Sequence, residues 1–229
     1  MTGPHPTPRT RPAQGDPQTP GPHATSVTTA VPPRCPTRTR LYRAGALVDE
    51  GFPAERISEH LTAHDDTVVW LDLHDPDEAD LAILVEEFGL HPLAVEDAVV
   101  DEQRPKADRY RTHLFVNLYA VQVRDGGCEL LTSEMSAFVT PRALITVRKA
   151  DFDVDVVETR WDASADLAEN GVGFLVHGWL DAVVDGQHRA AQQLDDLADE
   201  LEEALFDPDH DVDVRRRGFE LRTSLAALR

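Results

Sequence analysis

Apolar and polar positions recur along the chain with two different periods, and these periods predict its elements. Segments that are β-branched or alternate with a period of two predict strands at 41–48, 67–73, 113–123, 128–139 and 143–147. Apolar residues three or four positions apart predict helices at 54–61, 76–88, 92–99, 153–161, 171–205 and 212–228.

The order of these elements predicts an α/β (α+β) fold, in which helices pack on a mixed β-sheet and long coiled-coil-like helices follow. Asp125–Gly127 and Pro141–Arg142 are typical of tight turns between consecutive antiparallel strands. Asp75 is the predicted N-cap of the helix that follows it, with Pro76 at the first helical position. Because strands and helices do not alternate regularly, a doubly wound fold is not expected.

The stretch 88–110 combines a helix boundary with a cluster of acidic residues. Gly89 is expected to end one helix in the left-handed conformation, and Pro92 to open the next. Four carboxylates then lie close together, on Glu96, Asp97, Asp101 and Glu102. One interpretation is a solvated helix end that pairs with Arg104 and Lys106. The other is a site for a hard divalent cation, since Mg²⁺ and Ca²⁺ prefer carboxylate oxygens.

The long helix at 171–205 has an apolar seam of the kind by which helices pack together. Its residues recur at spacings of three or four: Val172, Val176, Trp179, Val183, Ala190, Leu194, Leu197, Leu201 and Ala204, with the polar Gln187 completing the series between Val183 and Ala190. Beside the seam, Asp181, Asp185 and His188 share one helix face. This face is either solvated or a row of half-sites, completed by carboxylates from another helix or subunit.

The net charge of the 229-residue chain is −20, and it is unevenly distributed. Six arginines and three acidic residues give the first 50 residues a charge of +3, so the remainder carries −23. A surface this acidic repels phosphate backbones and attracts cations, which argues against nucleic acid as a partner. The two cysteines, Cys35 and Cys128, have no metal-ligand spacing and fit a reducing compartment.

The composition also predicts how the chain divides. Residues 1–37 hold ten of the sixteen prolines and predict a disordered tail. An α/β domain is expected over 38–165 and a long helical hairpin or stalk over 166–229. No signal peptide is recognisable, and the uncharged, largely apolar stretch at 170–180 is far shorter than the ~20 apolar residues that span a bilayer. The chain as given is therefore expected to be soluble.

Sequence motifs of the common enzyme classes are not found in the chain. It has no nucleophile elbow, no Walker A loop, no paired zinc-binding histidines and no dinucleotide-binding fingerprint. We therefore expect no enzymatic activity. A metal-dependent hydrolase that uses Glu96, Asp97 and Asp101 is a weaker alternative, because such an enzyme needs a site that activates a nucleophile.

Two ungapped motifs resemble a known family. The segments LHPLAVED, at 90–97, and QRPKADRY, at 103–110, are similar to the signature of the cytoplasmic domain of CorA-type magnesium transport proteins. Trp70–Leu73 and Leu114–Val116 lie where that family has similar segments. The resemblance implies a domain on the cytoplasmic side of the cell membrane, in a homo-oligomer that is pentameric at full length. Its ion would be Mg²⁺, with Co²⁺, Ni²⁺ or Zn²⁺ as alternatives.

The resemblance also implies specific ligands. It assigns a bridging metal ligand to Asp97, which follows Glu96 in the motif, and a second metal site to Asp181 and Asp185. Mg²⁺ bound between neighbouring subunits would then act as a sensor that holds the pore shut. The transmembrane helices and the Gly-Met-Asn pore motif of the family are not in this sequence, so we do not expect the chain itself to conduct ions.

Two other functions remain open at the level of the sequence. In the first, the chain is an oligomerisation or interaction module whose acidic residues only confer solubility. In the second, it is the corresponding domain of a zinc-transporting relative, since such relatives share this domain and differ mostly in the pore.

Overall fold

The computed structural model of the protein describes residues 33–100, 103–124, 128–204 and 211–227. Seven strands form one sheet: β1 (Thr37–Arg43), β2 (Ala46–Glu50), β3 (Thr67–His74), β4 (Lys106–Arg109), β5 (Leu114–Val123), β6 (Leu130–Val139) and β7 (Ala143–Arg148). Their spatial order is β2-β1-β3-β7-β6-β5-β4. Only the β3–β7 pair is parallel among these pairings. The prediction of a mixed sheet with consecutive hairpins is therefore confirmed.

Six helices accompany the sheet: α1 (Ile57–Ala63), α2 (Glu78–Phe88), α3 (Pro92–Val99), α4 (Asp155–Ala163), α5 (Val172–Ala204) and α6 (Asp211–Ala227). Short 3₁₀ helices precede α1 and α5, at Ala54–Arg56 and Ala165–Asn170. None of the helices in the described ranges has both the length and the apolar character needed to cross a membrane.

The two faces of the sheet bury two separate apolar clusters. Successive residues of a strand point to opposite faces, so Val69 and Leu71 of β3 pack with α2 and α3 on one face. Trp70, between them, packs with α4 and the first half of α5 on the other face. A third cluster joins the second half of α5 to α6 and Cys128. The sheet thus separates α3 from α5.

The seam of α5 therefore has two kinds of neighbour. Its first half, including Val172, Trp179 and Val183, packs on the sheet and on α4. Its second half, including Leu194 and Leu201, lies in the third cluster together with Val214 and Leu221 of α6. The sequence predicts packing against another helix along the whole seam, but the structure shows this for the second half and sheet packing for the first.

The predicted strand at 41–48 is wrong in one respect, because the structure divides it into a hairpin. Ala44 and Gly45 both have positive φ, at 46° and 78°, and they turn the chain between β1 and β2. A Cβ at position 45 would come within 3.1 Å of the backbone nitrogen of Glu169. Glycine suits this position because it adopts positive φ readily and leaves space beside Glu169. Tight two-residue turns of this kind favour glycine and join antiparallel strands.

The predicted start of α2 is also wrong. The N-cap is Asp77, whose side chain accepts a hydrogen bond from the Asp80 amide at 2.9 Å, while the Asp80 side chain accepts one from the Asp77 amide at 3.2 Å. This reciprocal capping box satisfies two amides that a helix start leaves unpaired. Asp75, the predicted cap, has φ of 50° and lies outside the helix.

Most other boundaries agree with the sequence to within about two residues. There are three exceptions: β1 begins at Thr37, inside the predicted tail, α1 begins at Ile57, three residues later than predicted, and β4 was not predicted. Gly89 ends α2 in the left-handed conformation, and His91–Pro92 opens α3, as predicted. Strand β6 and helix α4 each begin two residues later than predicted, at Leu130 and Asp155. The predicted turn at 125–127, the acids Asp101 and Glu102, and residues 1–32 of the predicted tail lie outside the described residues.

Candidate cation-binding site

Asp97 is presented at the surface by the short helix α3. His91 caps this helix by accepting a hydrogen bond from the Leu93 amide, and Ala94 and Ala98 bury its inner face. Asp97 therefore lies at the edge of the buried face, with 32% of its side chain exposed. Glu96, one position earlier, is exposed.

In the folded chain, Asp97 already has a cationic partner. The Lys106 ammonium at the start of β4 donates a hydrogen bond to Asp97 Oδ2 at 2.6 Å, and it lies 3.4 Å from Asp108 Oδ2. It also stands 5.4 Å from the centre of the Phe115 ring. The hydrogen bond to Asp97 raises the pKa of Lys106 and outweighs the opposing effect of burial. The bond therefore supports the interpretation in which Lys106 neutralises this helix end.

Asp181 and Asp185 lie one turn apart on α5, and both point to the same group. The guanidinium of Arg160, on α4, donates from Nη1 to Asp181 Oδ2 and from Nη2 to Asp185 Oδ2, the latter at 2.6 Å. The side chains of the two aspartates are 43% and 46% exposed, and that of Arg160 is 26% exposed. Two carboxylates thus converge on one positive charge near the surface.

The ion pair between Arg160 and Asp185 shifts the pKa of both groups. The hydrogen bond from Arg160 lowers the pKa of Asp185, with smaller contributions from nearby Arg189 and His188. In return, the hydrogen bond to Asp185 raises the pKa of Arg160, and burial opposes this effect. Because arginine stays protonated in proteins, the guanidinium remains charged at any pH at which the fold is stable.

Ion pairs on another face of α4 attach this helix to β1, and they thereby fix the position of Arg160. Arg38 of β1 pairs with Asp155 and Glu158, the latter at 3.2 Å. Arg40, also on β1, pairs with Asp162 at 2.8 Å and is only 7% exposed. Between these contacts and Arg160, the side chain of Trp161 is buried against Trp70, with ring centres 4.8 Å apart. Arg160 is therefore carried by a helix that is anchored to the sheet.

The structure brings some of the predicted ligands together and separates others. Asp181 and Asp185 share one partner, whereas Asp97 lies with α3 on the opposite side of the sheet. Within the described part of the chain, no group of three or more His, Cys, Asp or Glu residues is close enough to hold a metal ion. Any complete site formed by these aspartates requires water or another subunit for its remaining ligands. The assignment of metal ligands stays a prediction.

Arg160 is the one residue of this arrangement that the sequence interpretation missed. It pairs with residues 21 and 25 positions away, so no helical spacing reveals it. The one sequence feature that could have indicated Arg160 is its position on α4. It lies on the helix face opposite to the acidic residues Glu158 and Asp162. Such a residue is equally typical of a solvated helix face.

Comparisons with known proteins agree with the motifs. The family model described as CorA-like Mg²⁺ transporter protein matches residues 65–229. The chain is 28% identical over 181 residues to the protein YfjQ of Bacillus subtilis, which covers 79% of this chain and 54% of that protein. It is 26% identical over 166 residues to the cobalt/magnesium transport protein CorA of Thermotoga maritima, which covers 71% of this chain and 47% of that protein. The chain thus spans about half the length of these curated relatives.

A solved structure has the same fold. The soluble domain of CorA from Methanocaldococcus jannaschii superposes with a TM-score of 0.62 over 85% of this chain and 73% of that chain, at 18% sequence identity. At this identity, the likeness shows the arrangement of the sheet and helices and does not extend to individual ligands.

Proposed function

Because the chain belongs to the family of CorA-like Mg²⁺ transporter proteins, we propose that it is the cytoplasmic, cation-sensing domain of a divalent-cation transporter. The transported ion and the sensed ion are both Mg²⁺ in this proposal, with Co²⁺, Ni²⁺ or Zn²⁺ as alternatives. The domain acts in a homo-oligomer, pentameric in the full-length protein, at the cytoplasmic side of the membrane.

One observation supports a sensing role above the others. Two half-exposed carboxylates, on Asp181 and Asp185, direct their Oδ2 atoms to a single positive group. This is a place where a cation is stabilised, and carboxylate oxygens with water suit Mg²⁺. Asp97 offers a third carboxylate, about one-third exposed, on the other side of the sheet.

The net charge explains how ion binding would change the assembly. At −20 per chain, neighbouring copies repel one another. A divalent ion shared by carboxylates of two subunits lowers this repulsion, and it favours whichever arrangement brings the carboxylates together. The geometry of the oligomer, and with it the state of the pore, then follows the ion concentration.

The first test is the mass of the 229-residue chain by light scattering, with excess Mg²⁺ and then with chelator. We expect a larger mass in Mg²⁺ that reverts when the ion is removed. Replacing Asp97 with Ala should weaken this shift, since the substitution removes the predicted bridging carboxylate.

The matched control is Asp108→Ala, because Asp108 also approaches Lys106 but lies on β4, with 49% of its side chain exposed. This variant loses the same charge and should assemble like the unmodified chain. An unmodified chain whose mass is the same in Mg²⁺ and in chelator would contradict the proposal. Equal effects of both substitutions would contradict the role of Asp97.

A second candidate function has its own supporting observation. Asp97, Asp181 and Asp185 are all paired with basic residues of the same chain, which is also what a charged surface without a sensing role would show. The chain would then be an interaction module that assembles through its helices. This function predicts an oligomer whose mass does not depend on Mg²⁺, so the same experiment separates the two.

A further inference from the structure

We propose that Arg160 is an internal counterion, which a divalent cation must displace from Asp181 and Asp185, and that it thereby sets the cation concentration at which this site fills. The inference rests on the proposed function, because it takes the two aspartates as cation ligands. It assigns a role to Arg160, which is not itself a cation ligand and lies on α4, whereas the two aspartates lie on α5.

The geometry supports displacement because the guanidinium occupies the position that a bound cation needs. Arg160 contacts Asp181 Oδ2 and Asp185 Oδ2 with two different nitrogens, so it bridges the carboxylates as one ion would. A divalent ion placed between these oxygens would be close to the guanidinium and would repel it. The two cations therefore exclude one another.

Arg160 has room to leave without moving its helix. Its side chain is 26% exposed, and both aspartates are more exposed still. Helix α4 is meanwhile anchored to β1 by the ion pairs of Arg38 and Arg40. Displacement is therefore expected to be a rotation of one long side chain into solvent, with the backbone of α4 unchanged.

Charge balance explains why this arrangement sets a threshold. Without a cation, Asp181 and Asp185 would repel each other at a spacing of four residues on one helix face. Arg160 relieves this repulsion in the ion-free chain and so lowers the affinity of the pair for any external cation. Since the guanidinium does not lose its proton in proteins, the threshold does not change through deprotonation of the counterion.

The decisive experiment compares Mg²⁺ binding by the unmodified 229-residue chain and by the Arg160→Gln variant, measured by titration calorimetry at constant ionic strength. We expect the variant to bind Mg²⁺ about tenfold more tightly, a change of about 1.4 kcal/mol. The gain should disappear when Asp181→Asn and Asp185→Asn are added. The Arg160→Lys variant keeps the charge and should bind closer to the unmodified chain than Arg160→Gln does.

Arg56→Gln is the matched control. It removes one positive charge from an exposed residue that pairs with Glu59 and does not contribute to the anchoring of α4, so the net charge changes equally. Circular dichroism and thermal unfolding establish that each variant is folded. The inference is overturned if Arg160→Gln binds Mg²⁺ no more tightly than the unmodified chain, or if Arg56→Gln produces the same gain.

This result is separable from the test of the proposed function. If Mg²⁺ enlarges the unmodified assembly but Arg160→Gln leaves the affinity unchanged, the counterion role fails and the sensing function stands. If Arg160→Gln gains affinity through Asp181 and Asp185 while the mass never responds to Mg²⁺, the counterion role stands and the sensing function fails.

Discussion

At the scale of single residues, one ion pair of the described chain, between Asp72 and Arg148, differs from the surface pairs because both of its side chains are buried. Asp72 of β3 accepts hydrogen bonds from Arg148 Nε at 2.8 Å and from the Thr146 hydroxyl at 2.7 Å. Thr146 in turn accepts one from Trp70 Nε1 at 3.0 Å. The Asp72 and Arg148 side chains are only 2% and 10% exposed. Because β3 and β7 are the parallel pair at the centre of the sheet, this network joins the two halves of the fold.

Replacing Asp72 with Ala should destabilise the fold by about 3–5 kcal/mol, because it leaves the buried charge of Arg148 without its partner. Urea unfolding followed by circular dichroism measures the loss. Asp155→Ala is the comparison, since it breaks the exposed pair with Arg38. That change should cost less than about 1 kcal/mol. Similar losses for the two variants would show that burial does not set the strength of these pairs.

At the scale of elements, the contact between α4 and α5 depends on a glycine. A Cβ at position 178 would overlap the indole Nε1 of Trp161. That Nε1 donates a hydrogen bond to the Leu175 carbonyl at 3.2 Å, so the ring is held against α5. The absence of a side chain at Gly178 lets the two helices approach closely enough to bury Trp161. This contact also determines where Arg160, the next residue back, meets Asp181.

Gly178→Ala should therefore destabilise the protein by about 1–3 kcal/mol, since the added methyl group must push Trp161 from its place. Differential scanning calorimetry and Trp fluorescence measure the effect. Gly173→Ala, on the same helix, meets nothing within 4 Å of the added atom. It should be neutral or stabilising by less than about 1 kcal/mol, because alanine is the better helix former. A neutral Gly178→Ala would show that α4 and α5 are not packed as described.

At the scale of the whole molecule, α6 is joined to the end of the sheet by one buried hydroxyl. Ser224 donates a hydrogen bond to the Cys128 carbonyl and accepts one from the Leu130 amide at 3.1 Å. Around it, Leu221 and Val214 of α6 pack with Leu194 and Leu201 of α5. The sheet, α5 and α6 therefore form one continuous packed unit, and α6 takes its position from both.

Ser224→Ala should loosen α6 while leaving the sheet intact. Two backbone groups at the start of β6 lose their partner, so the free energy of opening for α6 should fall by about 1–3 kcal/mol. Hydrogen exchange followed by mass spectrometry measures the free energy of opening separately for α6 and for the strands of the sheet. Thr223→Ala is the control, because the Thr223 hydroxyl donates a hydrogen bond to the Phe219 carbonyl within its own helix. Faster exchange across the sheet as well would contradict a local role for Ser224.

The sequence predicted most of the elements and the family, because both depend on local information. Runs of β-branched and apolar residues such as Thr67–His74, and the long seam of α5, are visible without knowing what they pack against. Gly89 and Pro92 marked a helix boundary through their own backbone preferences. The ungapped motifs around Asp97 indicated the CorA-like family, which the family model confirms.

Sequence information was insufficient where two plausible local choices compete. Asp75 and Asp77 are both good N-caps, and only the reciprocal bond with Asp80 selects Asp77. The hairpin at Ala44–Gly45 was missed for a similar reason. The pattern of residues 41–48 is compatible with a single strand, and only the pairing of β1 with β2 shows that the chain turns within it.

Sequence by itself thus determined most of the elements, the acidic charge and the identity of the candidate aspartates. Only the tertiary structure decided how those aspartates are neutralised and which of them act together. Lys106 reaches Asp97 from the start of β4, and Arg160 reaches Asp181 and Asp185 from another helix. The physical reason is that a charge acts through space over a few ångströms. Its partner is therefore set by how helices pack on the sheet, which spacing along the chain does not encode.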